Sequence, residues 1–305
     1  MFRSVSIALG LLLMLQGQAS RPASGQALGP APESLSGMPP AVAPTPVPIA
    51  GFDIVGLRSA GVGGATIGAY LKRPAGAAGP RPVVIGLHGC GGLVTRLGGL
   101  QAREDDWTQR LVELGYAVLL PDSFNARGYR QICTLKERER QIRPGDRVED
   151  VAAAITWLAE QDWVDSSKIA LIGWSHGGSS VLWSIRRKAL GTPQVTLKTA
   201  IAFYPGCRVP AESTTWAPRI PLTILIGAAD DWTPSEPCRV LAANHPITLV
   251  EYPGAVHGFD APNLAPRTRT DVGLKKDGRA KVGTDPKARA AAIELVQRIL
   301  ADAFK

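Results

Sequence analysis

Residues 169–180 read IALIGWSHGGSS, an apolar run that breaks into Gly-Trp-Ser-His-Gly and then into small residues. An apolar run without polar alternation is the pattern of a strand covered on both faces. A serine between two glycines at the end of such a strand has a bland reading, a turn built from small residues. The sharper reading is a nucleophile held on a tight strand-to-helix bend. That bend presses the flanking residues against the adjoining strand and helix, so it needs tiny neighbours. Gly173 and Gly177 occupy the two crowded positions of G-x-S-x-G. The motif alone arises by chance, so the rest of the chain has to choose.

Working outward, short β-branched runs alternate with longer helical patterns. Strands are expected at 52–57, 66–72, 83–88, 117–121, 168–173, 199–204, 222–227 and 247–252. Helical periodicity fills 103–114, 148–160, 177–190 and 286–304. In the last of these Ile293, Val296, Ile299 and Leu300 recur on one face, and Pro286 is placed to open the helix. The first two strands flank SAGVGGA (59–65) and read as an antiparallel edge hairpin. The alternation predicts an α/β fold, a doubly wound, mostly parallel eight-stranded sheet with helices on both faces. Two long connections, 122–146 and 258–285, each follow a strand. In open α/β sheets ligands bind at the carboxyl ends of the strands, so both connections are expected to wall a site.

A chain of 305 residues suffices for one large domain. Its net charge of +8 raises a nucleic-acid reading. The densest basic run, LKERERQIRPGDR (135–147), is interleaved with acids and lacks the aromatics of a single-strand binder, so nucleic acid is set aside as a partner. Near the N-terminus one Arg precedes an apolar stretch centred on Ile7–Leu15, too short for a membrane span but suited to a secretory signal. Residues 1–27 are expected to be a signal peptide, 28–50 a flexible Pro/Ala-rich segment and 51–305 the folded domain. An exported protein, periplasmic or secreted and free of the membrane once the signal is removed, follows from that reading. The four cysteines suit an oxidising compartment. Cys90 and Cys133 follow neighbouring strands, as do Cys207 and Cys238, so disulfides Cys90–Cys133 and Cys207–Cys238 are expected. There is no C-x-x-C and no zinc box with the four histidines; neither metal nor cofactor is expected.

A serine hydroxyl needs a base, and the base an orienting carboxylate. His257, in EYPGAVHGFD, stands just past the last strand, whereas His245 precedes that strand at the wrong sheet edge. LTILIGAADDWTP ends the intervening strand with Asp230 and Asp231, giving the chain order Ser, Asp, His. Physics alone does not separate the two adjacent aspartates. For the oxyanion, VVIGLHGCGGL (83–93) is a buried strand that breaks into glycines, placing the Cys90 amide opposite that of His176. The His88 side chain reads as a brace for that turn. Phe124, Arg127, Tyr129 and Trp232 are candidates for the substrate-binding walls, from loop position.

The motifs LHGCGGL, GYAVLLPDSFNARG, GWSHGG, LIGAADDWTP and YPGAVHGFD together resemble the dienelactone hydrolase family of the α/β-hydrolase superfamily, over nearly all of 52–304. The resemblance implies an α/β-hydrolase fold. Its G-x-x-D-x-x-x-P pattern falls on Gly227, Asp230 and Pro234 and so selects Asp230, and its histidine before G-F matches His257. Three departures stand out. The namesake enzymes use a cysteine where this chain has Ser175. They carry a glutamate at the position of Gly89 and an arginine at that of Ala261, and Arg127 matches their other carboxylate-binding arginine only with a one-residue offset.

The expected activity is hydrolysis of a carboxylic ester or lactone by Ser175, Asp230 and His257, on a small-molecule substrate and in a monomer. Rival readings are a serine peptidase of the prolyl-oligopeptidase type, told apart by cleavage of a peptide amide, and an acyltransferase, told apart by products formed with alcohol acceptors. A non-catalytic binding protein on the same scaffold is the third rival, and it sits badly with a complete set of three residues.

Overall fold

The computed structural model describes residues 46–76, 79–186 and 196–305. Eight strands form one sheet: β1 (Asp53–Arg58), β2 (Thr66–Lys72), β3 (Arg81–Leu87), β4 (Ala117–Pro121), β5 (Val164–Trp174), β6 (Leu197–Phe203), β7 (Leu222–Gly227) and β8 (Ile247–Tyr252). Their order is β1-β2-β4-β3-β5-β6-β7-β8. β2 runs antiparallel to both β1 and β4, and every other pairing is parallel. All residues of β4 and β7 are buried, as helices on both faces of a Val/Ile/Leu-rich strand require.

The helices are α1 (Ala102–Glu113), α2 (Val148–Ala159), α3 (His176–Ser184), α4 (Arg208–Glu212), α5 (Glu236–Asn244) and α6 (Pro286–Ala303). α6 starts where its sequence says it should. The Asp285 side chain accepts from the Ala288 amide at 3.0 Å, Pro286 needs no donor partner, and Ala288, Ala292, Val296 and Leu300 form its buried stripe. The short α4 and α5 were not foreseen, nor were β9 (Arg267–Arg269) and β10 (Ala280–Val282), a two-stranded pair inside the 258–285 connection. Three-residue strands carry too little periodicity to read.

Several boundaries differ from expectation: β5 starts at Val164 where 168 was expected, and two differences are larger. The helix anticipated at 177–190 is observed as His176–Ser184, with 187–190 outside the described residues. Residues 46–50, assigned to the flexible segment, pack on β2: the Tyr70 hydroxyl donates to the Val47 carbonyl at 2.9 Å, and Pro46 covers Gly68. The expected signal peptide lies outside the described residues. Among those described, no helix is long and apolar enough to cross a membrane.

The order positions the site. From β3 the chain moves to β4 on one side, then returns to β5 on the other, so the connections leaving β3 and β5 diverge. A crevice opens at the carboxyl ends of strands at such a switch point. His88–Leu93 leaves β3 there, and Ser175 leaves β5.

Candidate active site

Ser175 joins β5 to α3 at φ 54° and ψ −115°, a region that L-residues rarely occupy. Its neighbours explain how the bend is accommodated. A Cβ on Gly177 would sit 2.0 Å from the Leu87 carbonyl oxygen, and one on Gly173 would sit 2.5 Å from the Gly177 oxygen. Only glycine fits at either place. The Ser175 amide donates to the Phe203 carbonyl at 2.9 Å, which fixes the strained residue to β6.

From there a hydrogen-bonded chain runs to two later loops. Ser175 Oγ lies 3.0 Å from His257 Nε2, and His257 Nδ1 lies 2.8 Å from Asp230 Oδ2. A carboxylate accepts, so the ring proton belongs on Nδ1 and Nε2 is free to accept from the serine. All three residues are buried. Asp230 Oδ1 takes the amides of Trp232 and Thr233, both at 2.9 Å, which holds the carboxylate in place. Asp231 turns away: its Oδ1 accepts from the Lys281 amide at 2.8 Å. The His257 ring is clasped between Tyr204 and Trp232, with centroids 4.5 and 4.7 Å away.

Behind His257 lies a group that sequence reasoning missed. Asp260 is fully buried, and its carboxylate accepts from the indoles of Trp107 and Trp174 and from the Tyr204 hydroxyl at 2.6 Å. Nothing local in HGFD marks it, because its three donors come from α1, β5 and the end of β6. Thr233 was missed as well; its hydroxyl bridges Asp230 and the Tyr204 carbonyl.

On the opposite flank, the β3 loop approaches the serine so closely that a Cβ on Gly89 would stand 3.7 Å from Ser175 Cβ. Neither the Cys90 amide nor the His176 amide has an acceptor among the described residues. His176 opens α3, where an amide has no partner within the helix. Both amides are thus available to a negative oxygen at the site. His88 braces the loop: Gly89 O can only accept, so Nδ1 donates to it at 2.9 Å, and Nε2 accepts the Ser123 amide. That fixes a neutral tautomer. Burial first, and Arg147 second, hold both His88 and His176 well below the ordinary histidine range.

The loop is also tied covalently. Disulfides join Cys90 to Cys133 and Cys207 to Cys238. The first fastens the β3 loop to the 122–146 connection, where the Ile132 amide also donates to the Cys90 carbonyl at 2.8 Å.

A cleft of about 610 Å³ opens over Ser175 and His257. Trp232 lines it, as do Arg96, Arg103, Arg267 and Arg269. The structure does not bring Phe124, Arg127 or Tyr129 to that cleft, which corrects the loop-position reading. Phe124 is fully buried against the rings of His88 and His176. Arg127 forms a buried ion pair with Asp150 at 2.7 Å. Tyr129 lines a neighbouring depression with Arg96 and Gln131. No cluster of His, Cys, Asp or Glu among the described residues is arranged to hold a metal ion.

Comparison with known proteins bears on family and fold. The family model for the dienelactone hydrolase family matches residues 67–303. Among curated proteins no sequence matches this one. Among solved structures, a provisionally named dienelactone hydrolase of Klebsiella pneumoniae superposes with a TM-score of 0.60 at 21% identity, covering 82% of this chain and 98% of its own. Thermogutta terrifontis esterase 2 with bound propionate gives 0.57 at 20% identity, over 83% and 94%. Porphyromonas gingivalis dipeptidyl peptidase 4 gives 0.51 at 20% identity, over 70% of this chain and 33% of its own. At these identities the likeness is one of fold.

Proposed function

This chain belongs to the dienelactone hydrolase family and is a carboxylic ester hydrolase, and from that premise we propose that it works through a covalent acyl-enzyme on Ser175. The observation that carries this reading is the Ser175–His257–Asp230 hydrogen-bond chain at the strained bend after β5. Ser175 Oγ attacks the carbonyl carbon while His257 Nε2 takes its proton. The carbonyl oxygen becomes an oxyanion held by the amides of Cys90 and His176. His257 then gives the proton to the leaving alcohol as the C–O bond breaks. Water, deprotonated by the same nitrogen, releases the acid and restores the serine. Asp230 fixes the ring and favours its charged form, and each amide donor is worth about 10²–10³ in rate.

The natural substrate in this reading is a small ester or lactone that carries negative charge. Four arginines line the cleft against two acids, Glu104 and Asp271. Arg103 is paired with Glu104 and Arg269 with Asp271, while Arg96 and Arg267 form no ion pair among the described residues, Arg267 acting on Asp271 from farther off. The cleft therefore keeps a positive rim. Two disulfides suit an oxidising compartment, so export belongs to the same proposal.

The test is pre-steady-state hydrolysis of p-nitrophenyl acetate by wild type, Ser175→Ala and His257→Ala. A burst of p-nitrophenolate stoichiometric with enzyme is expected, with kcat down by about 10⁴–10⁶ in either variant. Full turnover by Ser175→Ala would sink the reading. Comparing aryl esters of succinate and of its methyl ester then tests the charge preference; the anionic one should be favoured, and less so at high salt.

A further inference from the structure

Arg147, immediately before α2, is fully buried and has no carboxylate within ion-pair distance among the described residues. A buried cation without a contacting anion is costly. Asp150 and Asp122 offset the charge from farther off, Nη2 has no hydrogen-bond partner among the described residues, and the direct contacts are those of Nε and Nη1. Nε donates to Ser123 Oγ at 2.9 Å. Nη1 donates to the His88 carbonyl at 2.8 Å and lies 3.2 Å from His176 Nδ1. Since the guanidinium only donates, His176 Nδ1 accepts. Burial lowers the arginine to about 10, which leaves it charged at neutral pH.

Those contacts fall on the two segments that carry the free amides. One is the β3 loop. There Arg147 holds the His88 carbonyl directly, and through Ser123 it reaches the His88 ring. That ring donates to the Gly89 oxygen, the other end of the peptide unit whose N–H belongs to Cys90. The unit is planar, so fixing its oxygen fixes the direction of the Cys90 N–H. The other segment is the start of α3, where Arg147 takes the side chain of the residue whose amide is the second donor. One rigid guanidinium thus spans both sides of the gap.

We propose that Arg147 is a positioning residue for the oxyanion hole, holding the Cys90 and His176 amides at the spacing that the tetrahedral oxyanion needs. The inference rests on the acyl-enzyme reading above. It touches neither substrate nor the reacting atoms. A lysine has one point of donation where arginine has a planar fork, so Arg147→Lys should restore only part of the function.

Arg147→Met and Arg147→Lys are assayed with p-nitrophenyl acetate and with two inhibitors. A trifluoromethyl ketone adds to Ser175 and forms a tetrahedral oxyanion; the matching secondary alcohol forms no adduct. In Arg147→Met, kcat per burst-active site should fall by about 10²-fold, the loss of one donor, with KM within threefold. Trifluoromethyl ketone affinity should fall in parallel while alcohol binding holds, and Arg147→Lys should lie between. A lower burst amplitude with unaltered kcat per active site, or equal weakening of both inhibitors, would overturn the proposal. If Arg147→Met does not fold, His176→Phe and His176→Asn decide. Both keep the amide, but only Asn offers Arg147 an acceptor. Phe should lose about tenfold or more in kcat per active site and Asn should recover most of it, a hydrogen bond from a charged donor being worth at least about that much; no difference between them overturns the proposal. Ser175→Ala separates the two levels. If it keeps full turnover, the acyl-enzyme reading fails; if it is inactive while Arg147 variants behave as wild type, only this inference fails.

Discussion

The two flanks of Ser175 are both buried and polar, and the groups bonded most directly into the site are of opposite charge. Arg103 nevertheless stands beside Tyr204 and Asp260 on one flank, and Asp150 and Asp122 act on Arg147 on the other. Under and behind His257 lie two carboxylates, Asp230 and Asp260. Beneath the free amides lies Arg147, flanked by two histidines kept neutral by burial. The acyl transfer proposed above would move a proton onto His257 and build negative charge on the carbonyl oxygen. In that reading the nearest group on each flank carries, in advance, the charge opposite to the one that would develop beside it, so that little reorganisation is needed. The flanks also differ in construction. The anionic one comes mostly from two loops, 228–234 and 253–260. The cationic one is assembled from four separate segments, at His88, Ser123, Arg147 and His176.

The strongest way to break this comparison is to neutralise the anionic flank. Asp230→Asn keeps the shape but lets an amide face His257 Nδ1, which disfavours the useful tautomer; kcat is expected to fall about 10⁴-fold. Asp231→Asn, beside it in sequence, should retain kcat within a few-fold, because among the described residues the Asp231 carboxylate meets only the Lys281 amide, the Lys275 ammonium donating to the Asp231 backbone carbonyl. Steady-state assays of the pair check both. Equal losses would mean that the two aspartates share the task.

The same difference in construction explains what was legible in the sequence. Ser175 and His257 were readable because each sits in a short motif whose context, a strand end, is itself visible in the apolar pattern. Asp230 and Asp231 were equivalent on physical grounds; the family pattern separated them, and the structure shows why one turns toward β10. Phe124, Arg127 and Tyr129 were misread because position on a loop does not say which way a side chain faces. Arg127 reaches Asp150, and Phe124 fills the space between two histidines. Arg147 sat unremarked in a basic run, since its partners are distant in the chain. Contacts of that kind have no period to detect.

A second test compares the disulfides. They close loops of similar length, 43 and 31 residues apart, so removal of either should cost about 4 kcal/mol in the chain-entropy account. Chemical denaturation of Cys90→Ser/Cys133→Ser and Cys207→Ser/Cys238→Ser should show similar losses. Activity should not follow suit. Only the first pair anchors the β3 loop that carries the Cys90 amide, so its removal should lower kcat about tenfold at temperatures where the protein stays folded, as expected for a loosened donor. Comparable kcat in the two double variants would show that the loop keeps its shape without the bond.

The gentlest probe is pH, and it acts on the cationic flank through stability rather than rate. His88 and His176 are held below 6.5, their unfolded value, chiefly by burial and then by Arg147. Below about pH 6.5 the unfolded chain therefore binds more protons than the native one, and stability falls as pH drops. Each histidine contributes up to about 1.4 kcal/mol per pH unit on that limb, about 2.7 for the two together. Denaturation midpoints between pH 7.5 and 5 should show this slope, and His176→Phe should remove about half of it. An unchanged slope in that variant would mean that the His176 ring reaches solvent and takes up its proton in the native state. Protonation places a second cation beside Arg147 with no anion in contact to offset it. Acid should for that reason open the oxyanion side first, while Asp260 still has its three donors behind His257.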